Sequence, residues 1–142
     1  AVRVPVLTSS LMQVCTVNML LPDSKKAGIL TISKSTLSDA HLRAANVPSD
    51  TPIGTTEDGA EFSRVILNDE LQLNIELARM DNINAALKMK TDYPELGAII
   101  LECTNMSPYA EAIQEAVELP VFSIVNLVEW LHAGLKPKRF SS

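Results

Sequence analysis

An apolar run, Leu96–Leu101, is followed at once by the polar residues 102–105, Glu-Cys-Thr-Asn. A run of this length is typical of a strand buried on both faces, as in a parallel sheet covered by helices. Ser107 and Pro108 have the pattern of a helix N-cap and a first helical position, which predicts a helix over 108–117. We therefore expect Cys103 between a strand and a helix, at the sheet edge where α/β proteins bind ligands.

The predicted position of Cys103, at the start of a helix, favours the ionised form of its thiol. A helix N-terminus carries unpaired N–H groups and a partial positive charge, which favour a thiolate and predict a lowered thiol pKa. Thr104 and Asn105 add a hydroxyl and an amide that can bind a carboxylate. The alternative is that Cys103 is only a small buried hydrophobic residue, and the local sequence leaves both interpretations open.

Strands alternate with helices along the chain, which predicts a parallel sheet with right-handed crossovers. We expect about five strands and a flavodoxin-like three-layer α/β sandwich. The predicted strands cover residues 4–7, 27–31, 51–55, 96–101 and 119–123. The predicted helices cover residues 11–20, 38–45, 61–67, 70–91, 108–117 and 124–135.

Composition restricts the class of protein. A length of 142 residues predicts one domain over 1–142. The net charge of −5, with a basic run only at 136–139, argues against nucleic acid as a partner. No apolar stretch approaches the ~20 residues that span a bilayer, so we expect no membrane association. Two cysteines do not form a disulfide framework, which favours the cytoplasm.

Several other polar residues have weaker functional interpretations. Residues 31–36 place four hydroxyls around Lys34, a pattern that either binds anions or simply caps helices. His41 is interpreted as a surface residue, because no second ligand stands at metal spacing. Cys15, in the first helix, is interpreted as a packed thiol. Glu102 either points away from the cleft, since strand side chains alternate, or is a hydrogen-bonded acid.

The predicted helix over 70–91 carries two adjacent apolar stripes. One contains Leu71, Ile75, Ala78, Ala85 and Met89, and the other contains Leu73, Leu77, Met80 and Leu87. Together they are wide for a helix that covers only a sheet. This width predicts a homodimer or a further domain against the helix, and a broad core face is the competing explanation.

Four segments together resemble the aspartate/glutamate racemase superfamily, in particular members without an assigned substrate. They are residues 4–11 (VPVLTSSL), 28–31 (GILT), 97–105 (GAIILECTN) and 119–127 (LPVFSIVNL). The Cys-Thr pair after the buried strand is the most specific of them. The resemblance covers nearly the whole chain.

The resemblance implies a cofactor-independent enzyme with two similar α/β domains and the active site between them. Each domain supplies one cysteine, and the two sulfurs exchange protons on opposite faces of the substrate α-carbon. Cys103 matches the cysteine of the second domain. Thr104 and Asn105 would hold the substrate carboxylate, and Thr31 matches a position near the substrate. Lys34 stands where a second threonine is common.

The family's first cysteine precedes the segment that 4–10 resembles, and Cys15 follows that segment, so Cys15 does not match it. We therefore expect the chain to resemble roughly the last 60% of a two-domain member, with an N-terminal half as its missing partner. Asn105 replaces a His that is usual in glutamate racemases, which weakens glutamate as the substrate.

Three functions follow as hypotheses. The first is a racemase or isomerase that moves the α-proton of a small carboxylate, such as an amino acid, with Cys103 as one acid/base. The second is a lyase, decarboxylase or cis–trans isomerase of the same superfamily that uses Cys103 as nucleophile or proton donor. The third is a catalytically incomplete fragment that only binds a small carboxylate.

Overall fold

The computed structural model describes residues 3–139, and within them four strands form one parallel sheet. The strands are β1 (Lys26–Thr31), β2 (Ile53–Thr55), β3 (Leu96–Leu101) and β4 (Val121–Phe122), in the order β2-β1-β3-β4. All three pairings are parallel. The predicted α/β class with a helix-covered parallel sheet is confirmed, with four strands where about five were expected.

Within the described residues, six α-helices and two 3-10 helices connect and cover the strands. The α-helices are α1 (Gln13–Asn18), α2 (Asp39–Ala44), α3 (Phe62–Leu67), α4 (Ile75–Asp92), α5 (Ala110–Val117) and α6 (Ile124–Leu135). The 3-10 helices are Ser10–Met12, directly before α1, and Thr104–Tyr109, directly before α5.

The two central strands bury alternate residues on opposite faces of the sheet. Ile99 and Leu101 of β3 pack into a core formed with α3, α4 and α5. Ala98 and Ile100 of the same strand pack into a second core under α1, which also contains Val14. Because alternate side chains of β3 point to opposite faces of the sheet, both faces are covered by helices, which gives three layers.

The predicted strand over residues 4–7 is not observed. Val4 and Val6 are 67% and 53% exposed, and residues 4–7 join no ladder. The central strands β1 and β3 already pair on both sides, so no ladder position beside them remains for this segment. The segment instead leads into the 3-10 helix Ser10–Met12, where Ser9 is the N-cap and accepts the Leu11 N–H at 3.2 Å.

The helix after Cys103 begins earlier than predicted. Cys103 itself is the N-cap, in an extended conformation, and Thr104–Tyr109 forms a 3-10 helix that contains Pro108. Ser107, the predicted cap, is inside this helix, and its buried hydroxyl has no hydrogen-bond partner among residues 3–139. The motif therefore marked a helix start correctly but placed it four residues too late.

Helix α4 begins at Ile75, after the cap Asn74, whose side chain accepts the N–H groups of Glu76 and Leu77. Its inner face is a narrow stripe whose buried residues are Ala78, Asn82, Ala86 and Met89. The outward residues Leu77, Met80 and Leu87 are 50%, 49% and 40% exposed, so the broad core face is wrong for them. Contact of this surface with a second subunit or domain stays a prediction.

No helix within residues 3–139 is both long enough and apolar enough to cross a membrane.

Candidate active site

An open cavity of about 570 Å³ lies where β1 and β3 end. One wall is the end of β3 with Glu102, Cys103 and Thr104, and another is the loop before α1. A third wall comes from the loop after β1 and from α2. This is the edge of the sheet at which α/β proteins generally bind ligands.

The loop before α1 is fixed to the end of β3. The buried hydroxyl of Ser10 donates to the carbonyl of Leu101 at 2.6 Å and approaches that of Glu102 at 3.3 Å. Gln13 Nε2 donates to the carbonyl of Ser123 at 3.0 Å, which ties α1 to the start of α6. These contacts between distant parts of the sequence hold the cavity walls around Cys103.

Cys103 lines this cavity and is half-buried. The lowered thiol pKa expected for it is wrong: burial raises its pKa, and the Glu102 carboxylate adds to the rise. Hydrogen bonding from the backbone N–H groups of Asn105 and Met106 favours the thiolate but does not overcome burial.

Glu102 also lines the cavity, so of its two interpretations, a side chain that points away and a hydrogen-bonded acid, the structure favours the second. Its Oε2 accepts the Thr31 hydroxyl at 2.9 Å, and its backbone N–H donates to the carbonyl of Leu30 at 2.9 Å. The alternation argument fails because β3 ends at Leu101, and the chain turns into the 3-10 helix within two residues.

The predicted carboxylate-binding residues lie at different places. Thr104 lines the cavity, and Asn105 is an exposed neighbour that is not among the lining residues. Thr31 is 1% exposed, and its hydroxyl is directed to Glu102. Thr31 therefore acts on the cavity through Glu102, and substrate contact by Thr104 and Asn105 stays a prediction.

The hydroxyl-rich loop after β1 binds a carboxylate of the protein itself. Glu57 Oε1 accepts the hydroxyls of Ser33 and Ser35, each at 2.7 Å, and Oε2 accepts the Lys34 N–H at 3.1 Å. These hydrogen bonds, led by those from Ser35 and Ser33, lower the pKa of Glu57 from 4.5 to about 2. The Lys34 ammonium is directed elsewhere and donates to the carbonyl of Ile53 at 3.2 Å.

Of the two remaining candidate residues, His41 lines the cavity and Cys15 does not. His41, interpreted from sequence as a surface residue, is exposed but lines the cavity, and its Nδ1 accepts the Ser38 N–H at 3.3 Å. The Cys15 thiol donates to the carbonyl of Asn46 at 2.9 Å and is not a lining residue. Among residues 3–139, no three His, Cys, Asp or Glu side chains are grouped closely enough to hold a metal ion.

Comparison with solved structures adds an independent observation. The crystal structure of allantoin racemase from Pseudomonas fluorescens matches with a TM-score of 0.56 and 16% sequence identity, over 93% of this chain and 60% of the racemase chain. The chain has a racemase-like fold. At this identity the likeness concerns fold, and the substrate of the racemase is not carried over by it.

Comparison of sequences gives a shorter match. Dimethylsulfoniopropionate lyase 5 of Emiliania huxleyi (strain CCMP1516) is 40% identical over 41 residues, which are 29% of this chain and 8% of the lyase. No family model matches the chain. The chain thus spans 60% of the racemase chain, and the matched segment is a small part of the lyase.

Proposed function

We propose that this chain carries one catalytic half of a cofactor-independent isomerase of the aspartate/glutamate racemase superfamily. The reaction is proton transfer at the α-carbon of a small carboxylate such as an amino acid, and Cys103 is one acid/base. The chain would then be the second of two similar domains, and the first domain would be its partner. We also propose the cytoplasm as its location and a homodimer as its assembly.

The observation that carries the proposal is the position of Cys103. The sulfur lines an open cavity, at the end of a buried strand and beside the backbone N–H groups of Asn105 and Met106. The Met106 N–H also donates to the backbone carbonyl of Cys103 at 3.1 Å, so the Asn105 N–H and the Thr104 hydroxyl are the donors suited to hold a carboxylate and to stabilise the negative charge that develops as a proton leaves the adjacent carbon. The racemase-like fold also supports the proposal that Cys103 takes part in proton transfer.

Burial and the neighbouring Glu102 carboxylate raise the pKa of Cys103, so we propose that Cys103 is the proton donor. As a thiol it is prepared to donate a proton, and the opposite face of the carbon then needs a base. Cys15 is not in the cavity, and its thiol is engaged by the carbonyl of Asn46, so Cys15 does not meet this need. The proposal assigns the second acid/base to the partner domain.

Exchange of the substrate α-proton for deuterium is the direct test. The intact protein is incubated with a panel of small amino acids and ureido acids in deuterated water, and incorporation is followed by mass spectrometry. Cys103→Ser should lose exchange by at least about a hundredfold, in line with removal of a positioned acid/base. Cys15→Ser is the matched control and should retain it. Equal exchange in the two variants would refute the role of Cys103.

A lyase of the same superfamily is the second candidate. The match to dimethylsulfoniopropionate lyase 5, at 40% identity over 41 residues, favours it. Proton abstraction beside a carboxylate begins both reactions, and a leaving group on the next carbon turns it into elimination. Product analysis separates them: an alkene and a released leaving group indicate a lyase, whereas interconverted enantiomers indicate a racemase.

A further inference from the structure

Glu102 is built into the cavity as a fixed carboxylate. Its backbone N–H and carbonyl are held by Leu30 and Ser10, and its Oε2 accepts the hydroxyl of Thr31, which is almost fully buried. A side chain anchored at both ends keeps one position, so little conformational entropy remains to be lost when a ligand pairs with it.

Within residues 3–139 no lysine or arginine stands beside this carboxylate in the cavity, although the exposed His41 is a lining residue. No Lys or Arg is among the lining residues within the described chain, and none of its ion pairs involves Glu102. One hydroxyl is a small share of what a carboxylate can accept, so most of the acceptor capacity of Glu102 is unused within the described residues. A partly buried carboxylate that has no Lys or Arg beside it favours a ligand that carries a positive charge.

The hydrogen-bond donors that follow Glu102 in the chain favour negative charge. The Thr104 hydroxyl lines the cavity, and the backbone N–H groups of Asn105 and Met106 favour negative charge at the Cys103 sulfur. The cavity therefore places hydrogen-bond donors and a carboxylate beside the same sulfur, which gives the site a polarity.

From this polarity we propose that the cavity binds a small zwitterion, with its onium group against Glu102 and its carboxylate toward the Thr104 hydroxyl and the Asn105 N–H. Glu102 is then a specificity-determining residue that selects ammonium- or sulfonium-type substrates and rejects dicarboxylates. The inference rests on the proposed function and narrows its substrate class. A positive group near the reacting carbon also makes its C–H bond more acidic. The same onium group would therefore both bind to Glu102 and make the proton easier to remove.

Charged thiol reagents test the polarity without any turnover. Cys103 of the intact protein is modified by three methanethiosulfonates, carrying a trimethylammonium, a neutral hydroxyethyl or a sulfonate group, and the rate at Cys103 is read from its peptide by mass spectrometry. The ratio of the cationic to the anionic rate, each corrected for its rate with free cysteine, is the observable. Taking this ratio cancels changes in the thiolate fraction.

Glu102→Gln should reduce this ratio by about tenfold, the effect of one nearby charge in partly screened surroundings. Glu102→Asp should retain most of it, and Glu111→Gln, which removes an exposed carboxylate outside the cavity, should leave it unchanged. Retention of the wild-type ratio in Glu102→Gln would overturn the assignment of Glu102. If the ratio falls as expected but no α-proton exchange is found, the proposed function fails while the polarity stands.

Protection of Cys103 from N-ethylmaleimide tests the ligand class. Alanine and isobutyrate differ only in that a methyl group replaces the ammonium group. Alanine should protect at about tenfold lower concentration, and Glu102→Gln should remove the difference. Equal protection by the two compounds, or protection by neither, would overturn the zwitterion proposal.

Discussion

Substitution of Glu57 by Gln probes the loop that forms one wall of the cavity. The Glu57 carboxylate accepts from Ser33, Ser35 and the backbone of Lys34, and these hydrogen bonds lower its pKa from 4.5 to about 2. A glutamine keeps the size of the side chain but loses the charge and one acceptor oxygen. The variant should therefore be less stable than the wild type at neutral pH.

The size of the effect follows from the pKa. A fall from 4.5 to about 2 corresponds to roughly 3.4 kcal/mol if it acted in full, at ~1.4 kcal/mol per pH unit. Because Glu57 is exposed, solvent screening reduces the contribution to about 1 kcal/mol, or a decrease in Tm of about 3 °C. The folded-state pKa lies below the unfolded one, so this stabilisation is complete above about pH 5 and is lost as the pH falls toward 2.

Urea unfolding of both proteins between pH 7 and pH 2.5 measures this. The difference in free energy of unfolding should be about 1 kcal/mol at pH 7 and should shrink steadily below pH 5. Glu76→Gln, which removes an exposed ion pair with Arg79, is the control and should change stability by less than about 0.5 kcal/mol. A Glu57→Gln effect no larger than the control, or one that does not vary with pH, would refute the account of this loop.

Two further predictions concern the core and the thiol. Ile100 is fully buried in β3, and Ile100→Ala should lower the free energy of unfolding, measured by urea titration, by about 2–5 kcal/mol. Leu71 is fully exposed, and Leu71→Ala should change it by less than about 0.5 kcal/mol. Similar values for the two variants would contradict the assignment of the core. The rate of Cys103 alkylation by iodoacetamide should rise with pH, and the midpoint of the rise should lie above the ordinary pKa of a thiol, because burial raises the pKa of Cys103. A midpoint below that ordinary pKa would instead support the lowered pKa that the sequence predicted.

The sequence was sufficient wherever the signal was local. The apolar run of β3 and the polar residues after it correctly placed Cys103 between a strand and a helix. The bounds predicted for α6 agree with the structure, because Ser123 caps this helix through a hydrogen bond to a nearby N–H. Signals of this kind depend on a few consecutive residues, and tertiary structure did not override them.

Residues 4–7 show what the sequence could not decide. Their composition is that of a strand, but a strand also needs a neighbour, and the sheet pairs β1 with β2 and β3 instead. In the same way, the contact of Ser10 with the end of β3 spans 91 residues, and no local pattern announces it. Pairing and long-range contact are properties of the whole chain, so a short segment does not contain them.

The acidity of Cys103 is the most instructive case, because the expected cause is present and is outweighed. The N–H groups of Asn105 and Met106 do lower its pKa, as a helix start should, but burial and the Glu102 charge raise it further. Sequence position identifies the stabilising N–H groups, whereas the net result depends on how deeply the sulfur is buried and on where the neighbouring carboxylate is held. A ligand with a positive group against Glu102 would offset the effect of this carboxylate on the pKa of Cys103, so binding of such a zwitterion should itself lower that pKa.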